Sequence, residues 1–303
     1  MRFLFVLLII LFTVIKTHTQ VNNPGPPVNN YFFDIETIYD EAGIPGKYKV
    51  YIKTPICEDE RCYNVEINFY YDLIGRYLAF DTIEGQGLTK LDHIPFSMED
   101  YQKLNQLLQD PNSPINDYRM EELVKETRMS EIDGMTGATI AQVKEIVING
   151  GVYSCYTLWH IAHGALKDSI REKTKSMLNE SLVKKLTYAH EDDVNYFLII
   201  SLSEDEFIEY LPYVLKSFQQ AEGYFIKRAI EEMPSVAVND TLTQSYFASE
   251  FHTLNYFCQI AFLKKLDQYL LTDQMRDTLE GALNRRNSLK NDLIKKLLGE
   301  KNQ

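Results

Sequence analysis

The sequence predicts an α+β protein, a small antiparallel-sheet domain followed by an all-α domain. Three observations carry this. Between Tyr48 and Thr82 apolar residues alternate with polar ones, the period-2 signature of strands with one wet face. From about Leu166 onward glycine is scarce, with three of the chain's 14, and apolar residues recur at helical spacing. Between these regions lies Asp133-Gly134-Met135-Thr136-Gly137-Ala138-Thr139, which reads as a turn opening directly into a helix.

The N-terminus stands apart from both domains. Arg2 precedes an apolar run from Phe3 to Ile15, followed by Lys16-Thr17-His18-Thr19-Gln20. A positive start and a short apolar core describe a secretory signal peptide over residues 1–19. A membrane helix needs about 20 apolar residues, more than this run supplies. The chain is therefore expected to be exported, periplasmic or secreted. An uncleaved anchor is the alternative, and membrane association is expected only in that case. Loss of Arg2 and Lys16 moves the formal net charge from −12 to −14. So acidic a chain, with no long basic cluster, repels phosphate backbones, which excludes nucleic acid as a partner.

Residues 20–46 read as a linker and N-terminal extension, with Asn22-Asn23-Pro24-Gly25-Pro26-Pro27 exposed. Tyr31 to Tyr39 fits a strand or a short helix. Gly43, Pro45 and Gly46 mark a turn. Tyr48, Val50 and Ile52 then alternate with lysines, and Val65, Ile67, Phe69 and Tyr71 alternate with Glu66, Asn68 and Tyr70. Asp72 to Gly75 makes a turn, and Arg76 to Thr82 returns as another strand, completing an antiparallel hairpin.

Cys57 and Cys62 flank the polar turn Glu58-Asp59-Glu60-Arg61, and export permits a local disulfide between them. A metal site there is disfavoured because no His lies close and no second C-x-x-C is present. Cys155 and Cys258 sit in apolar helical patterns and are expected as buried free thiols.

Glu84-Gly85-Gln86-Gly87-Leu88-Thr89-Lys90 is a loop, since two glycines so close do not belong to a regular strand. A helix follows, with Ser97 and Asp100 as a capping box and Tyr101, Leu104, Leu107 and Leu108 as its apolar stripe. Asp117 is placed to cap a short helix from Tyr118 to about Arg128. Then comes the stretch 133–139. Asp133 and Thr136 are N-cap residues, and Gly137 lets the backbone approach a bound group. Ile140, Val143, Ile146 and Val147 share one face of the following helix, which Gly150-Gly151 closes. Free N–H groups and the positive dipole end make the neighbourhood of Thr139 an anion site suited to phosphate, although the same residues also describe a capped helix without a ligand.

The stretch is similar to the D-x-x-S/T-G-A-T flavinylation signature of FMN-binding domains, found in subunits of sodium-translocating NADH:quinone reductase and related electron-transfer complexes. In that family a separate flavin transferase esterifies FMN phosphate to the hydroxyl of the last Thr. The resemblance therefore implies FMN held covalently on Thr139, with Asp133, Thr136, Gly137 and Ala138 forming the rest of the attachment motif. It also implies that Gly87 and Leu88 border the flavin ring, because the family carries a Gly-Leu loop after a comparable hairpin. It covers roughly Tyr48 to Gly164, within a domain of residues 47–165. One departure is Ala141, where family members often carry Thr or Ser.

The segment Val152 to His163 reads as a largely buried helix holding the chain's one Trp and two of its six His. His160 and His163 are three apart, without evident partners for a metal, and read as buried or rim histidines bonded to backbone. Residues 166–303 form the helical domain, a bundle or a HEAT-like array, with helices expected near 166–178, 180–188, 191–201, 204–219, 222–232, 240–250, 253–270 and 273–298. Ser203 and Glu206 form a second capping box. Asn179-Glu180-Ser181 and Asn239-Asp240-Thr241 match the glycosylation acceptor pattern. No catalytic constellation is visible. The resemblance implies an electron carrier rather than an enzyme, served by a flavin transferase and a redox partner or extracytoplasmic acceptor. The alternative is a flavin-free interaction protein that keeps the FMN-binding-like fold and binds a partner through its helices. A flavin-dependent reductase is the third reading.

Overall fold

The computed structural model describes residues 19–20, 31–58, 61–90, 93–120, 122–123, 145–221, 223–283 and 287–299, with the side chains of 19–20, 57–58, 61–62 and 220 outside that set. It is α+β, an antiparallel sheet followed by a run of helices. Contacts divide the chain into two units, Met1–Arg171 and Glu172–Gln303.

The first unit is built on a meander in which each strand pairs with the next, β1-β2-β3-β4-β5. Strand β1 is only Thr19–Gln20, and β2 spans Phe32–Tyr39. The long pair β3, Pro45–Glu58, and β4, Arg61–Tyr71, forms the hairpin at its centre, and β5 is Tyr77–Thr82. Register aligns Tyr48 with Tyr71, Val50 with Phe69 and Ile52 with Ile67. All six are fully buried on one face. Burial of each large apolar side chain of this kind contributes about 1.5–3 kcal/mol. On the wet face Tyr51 Oη donates to Glu66 Oε2 at 2.7 Å, and Lys53 Nζ pairs with Glu66 Oε1 at 2.8 Å. These polar pairs fix which face is wet, because a one-residue slip would bury them.

The turn between β4 and β5 places Gly75 at φ +80°. Asp72 Oδ1 accepts from the N–H groups of Ile74 and Arg76, at 3.0 and 2.8 Å. Helix α1 is Met98–Gln109, α2 is Val152–His163 and α3 is Leu166–Ser176. The division between the units falls within α3. The first turns of that helix pack on the β4–β5 turn, where Arg171 Nε donates to the Ile74 carbonyl at 2.9 Å.

The second unit continues with α4, Glu180–Thr187, α5, Asp192–Ser201, α6, Glu204–Glu209, and α7, Leu211–Ser217. Then follow α8, Gly223–Glu232, α9, Ser235–Val238, α10, Thr241–Glu250, α11, Tyr256–Lys265, α12, Asp273–Gly281, and α13, Ser288–Leu298. Their core is one cluster that includes Phe207, Val214, Ile230, Phe247, Phe251 and Phe262. Two expected helices are each divided. The 204–219 stretch breaks at Tyr210, because Pro212 lacks the N–H an interior turn needs and instead sits in the first turn of α7. The 273–298 stretch ends at Gly281 and restarts at Ser288, where Asn287 Oδ1 accepts from Lys290 N at 3.1 Å. The short helix α9, after Pro234, was not expected from the sequence.

The two glycosylation-pattern asparagines both do structural work. Asn179 caps α4, its Oδ1 accepting from Leu182 N at 3.0 Å. Asn239 Nδ2 donates to the carbonyls of Ser235 and Lys265, at 2.8 and 3.3 Å, while its Oδ1 accepts from Asp267 N at 2.7 Å. Among the described residues no helix is long and apolar enough to cross a membrane.

Candidate functional site

The predicted site has two parts, the Gly87-Leu88 loop and the 133–139 stretch. Thr139, Asp133, Thr136, Gly137 and Ala138 lie outside the described residues, as does most of the helix expected after them. The loop is described, as is the chain from Glu145 onward.

The loop is held on three sides. Leu88 is 1 % exposed, so its side chain belongs to the core rather than to an open face. Its N–H donates to Tyr101 Oη at 2.9 Å, and its carbonyl accepts from Phe96 N at 2.9 Å. Lys90 Nζ pairs with Asp100 at 2.7 Å. Burial opposes ionisation of Asp100, but the bonds from Lys90 and Ser97 outweigh it and hold the carboxyl below its ordinary value. The capping box at Ser97 is formed, with Asp100 N donating to Ser97 Oγ and Ser97 N to Asp100 Oδ2. A helix start that completes its own orphan N–H groups is well fixed, and it anchors Tyr101 under the loop. Gly87 is different. A Cβ there would meet only Tyr101 Oη, at an ordinary 3.5 Å, so packing does not demand glycine at this position.

The chain just before α2 packs near this loop. Val147 and Ile148 are buried, and a Cβ on Gly151 would lie 3.0 Å from Ile148 and 3.3 Å from Phe96. Phe96 is the residue bonded to Leu88. Ile148 and Gly151 therefore pack against the residue that fixes the loop, and α2 starts there.

Helix α2 ties the loop to the sheet and to α1. The Thr89 carbonyl accepts from Tyr63 Oη at 3.2 Å and from Ser154 Oγ at 3.4 Å, joining β4, the loop and α2. Nothing local in the sequence marks this trio, whose members are up to 91 residues apart. Trp159 Nε1 donates to the Asp110 carbonyl and His163 Nε2 to the Leu108 carbonyl, both at 2.9 Å, so α2 satisfies the orphan carbonyls at the end of α1. Burial lowers the pKa of His163, and burial followed by the nearby His163 lowers that of His160 to about 4. The His160 ring packs on Tyr156 at 4.2 Å and on Trp159 at 5.0 Å, and its Nε2 is buried without a hydrogen-bond partner. His163 thus matches the backbone-bonded reading, and His160 is held by aromatic packing.

Cys155 and Cys258 are free and buried, as expected. Burial pushes the Cys155 thiol up to about 12, so it is not a nucleophile. Cys57 and Cys62 are register partners near the tip of the β3–β4 hairpin, and their side chains lie outside the described set. Among the described residues no group of three or more His, Cys, Asp or Glu is arranged to hold a metal. Compared with known protein families, curated proteins and solved structures, the chain matches none.

Proposed function

We propose that this is an exported flavoprotein that carries FMN as a phosphoester on Thr139 and relays electrons to an extracytoplasmic partner. The observation that supports it most is that the start of α2 packs on the residue that fixes the Gly87-Leu88 loop. Phe96 is bonded to Leu88 and packs against Gly151, which follows Thr139 by twelve residues in the sequence. On this reading the 133–139 stretch holds the phosphate at a helix N-terminus. Gly87, which packing leaves unexplained, gives the flavin ring close access to backbone. A covalent bond suits an exported carrier, because lost cofactor is not readily replaced outside the cytoplasm. Maturation requires a flavin transferase, and the helical unit serves as a docking or spacing module for the redox partner.

A second reading rests on Leu88. Its burial and its two backbone bonds are those of a structural loop, which favours a flavin-free protein that keeps the fold and binds a partner through its helices. One experiment separates them. The protein is co-expressed with a flavin transferase, denatured and separated by electrophoresis, and the band is examined for flavin fluorescence. Wild type is expected to fluoresce and Thr139→Ala to be dark. A dark wild-type band alongside a flavinylated control protein refutes the flavin reading. Reduction assays with candidate acceptors then distinguish a carrier from a reductase.

A further inference from the structure

We propose that the helical unit holds a binding site for an alkylammonium group, in the cavity bounded by α8, α10 and the start of α11. The site is independent of the flavin reading. The cavity has a volume of about 650 Å³, within the range of small-ligand sites. Phe218, Ile226, Tyr246 and Leu254 give it apolar and aromatic walls, and Glu250 is the one Asp, Glu, Lys or Arg among its described lining residues.

The floor is built rigidly. Asn255 caps α11, its Oδ1 accepting from Cys258 N at 3.0 Å. The Cys258 thiol donates to the Gly223 carbonyl at 3.0 Å. A Cβ on Gly223 would fall 2.2 Å from Asn255 Nδ2, so a larger residue there would displace the capping side chain of Asn255. A cavity whose floor is fixed in this way loses little entropy on binding.

Its chemistry favours a cation. One oxygen of Glu250 accepts from Thr253 Oγ1 at 3.1 Å, and among the described residues no cation pairs with the carboxylate. The rings of Phe218 and Tyr246, with centroids 6.2 Å apart, line the same cavity as the carboxylate. Burial, followed by the charge of Glu250, pushes the Tyr246 phenol up to about 12, so it remains neutral and offers an acceptor oxygen. An ammonium beside Glu250 would gain a charge-assisted hydrogen bond and the attraction of aromatic faces, while its carbon stem covers Ile226 and Leu254. A free aliphatic amine and a lysine side chain of a polypeptide share this chemistry.

The test is calorimetric titration of the full chain with n-hexylamine, its neutral counterpart 1-hexanol, and Nα-acetyl-lysine amide. The expected result is that at least one amine binds, and binds at least about tenfold more tightly than hexanol. Glu250→Gln, which preserves shape, is expected to remove that preference, while Tyr246→Phe retains most of it. Binding of the lysine amide identifies a polypeptide side chain as the source. Binding of hexylamine alone identifies a free amine. The proposal is overturned if neither amine binds, if hexanol binds as well as the amines do, or if Glu250→Gln leaves amine binding unchanged. The wild-type comparison of amine and alcohol decides the matter even if the variant folds poorly.

Discussion

The carbonyl oxygen of Lys167 lies 2.8 Å from the point a Cβ on Gly75 would occupy. Helix α3 and the β4–β5 turn are therefore in backbone contact, and the turn residue is glycine for two reasons, its φ of +80° and its lack of space. Gly43 also has positive φ, but nothing lies within 4 Å of its absent Cβ. An alanine in the left-handed region costs about 1–2 kcal/mol, and overlap in a packed site adds about 1–3 kcal/mol. Gly75→Ala is expected to lower stability to chemical denaturation by clearly more than Gly43→Ala. Equal losses for the two variants would show that the α3 contact does not form.

Cys57 and Cys62 face each other in register, and paired strands hold such Cα atoms about 4.5–5.5 Å apart. That separation falls inside the range a disulfide accepts. Closing so short a loop is worth about 2 kcal/mol on the chain-entropy account. Protein prepared under oxidising conditions is expected to resist alkylation at both positions. Cys57→Ser with Cys62→Ser should lower its stability by that amount, and a reductant should erase the difference. Free alkylation of the native oxidised protein would refute the bridge.

The His160 pKa is lowered in the folded state to about 4, whereas the unfolded chain protonates near its ordinary value of about 6.5. Between these values the unfolded state binds more protons, so stability rises with pH through this window. The contribution is fully present above about pH 6.5 and is lost as pH falls towards 4. Measured as urea midpoints, the decline from pH 6.5 to 4 is expected to be shallower in His160→Asn than in wild type. Parallel curves would mean that the imidazole is solvated in the folded protein.

Asn239 joins α9 to the end of α11 through three hydrogen bonds, whereas Asn179 makes a single helix cap. Removing the Asn239 amide takes a partner from the Lys265 carbonyl and the Asp267 N–H, at about 0.5–1.5 kcal/mol net for each bond lost. Loss of an N-cap costs about 1 kcal/mol. Asn239→Ala should therefore be the more damaging variant in thermal unfolding. The reverse order would place the Asp267 segment elsewhere.

The sheet was legible because one of its faces is wet. Lys49, Tyr51 and Lys53 opposite Glu66, Asn68 and Tyr70 leave only one register that keeps charge in water. Both capping boxes were legible for a different reason, being local patterns completed within four residues. The division at Tyr210 was within reach, since Pro212 signals it, but the continuous apolar stripe hid it. The Tyr63–Thr89–Ser154 trio and the bonds from Trp159 and His163 to the end of α1 join residues far apart in sequence, and no local pattern encodes them. The inward turn of Leu88 was equally invisible, because a loop leucine reads the same whether it lines a ligand or a core. Of the predicted site, the loop and its neighbours can be placed, while Thr139 and its motif fall outside the described residues.

The meander has a consequence for the order in which the protein takes shape. Every strand pairs with its sequence neighbour, so the sheet can close from residues 31–82 alone by local, rapid steps. Its buried face cannot be completed so early. Tyr71 Oη finds its acceptor at Ala162, and the Ile74 carbonyl its donor at Arg171, 91 and 97 residues away. A growing chain thus carries a sheet whose apolar face, although α1 packs on β5, is not completed until α2 and the start of α3 emerge. That interval, rather than the finished molecule, is where this protein is most exposed to self-association and most in need of a chaperone.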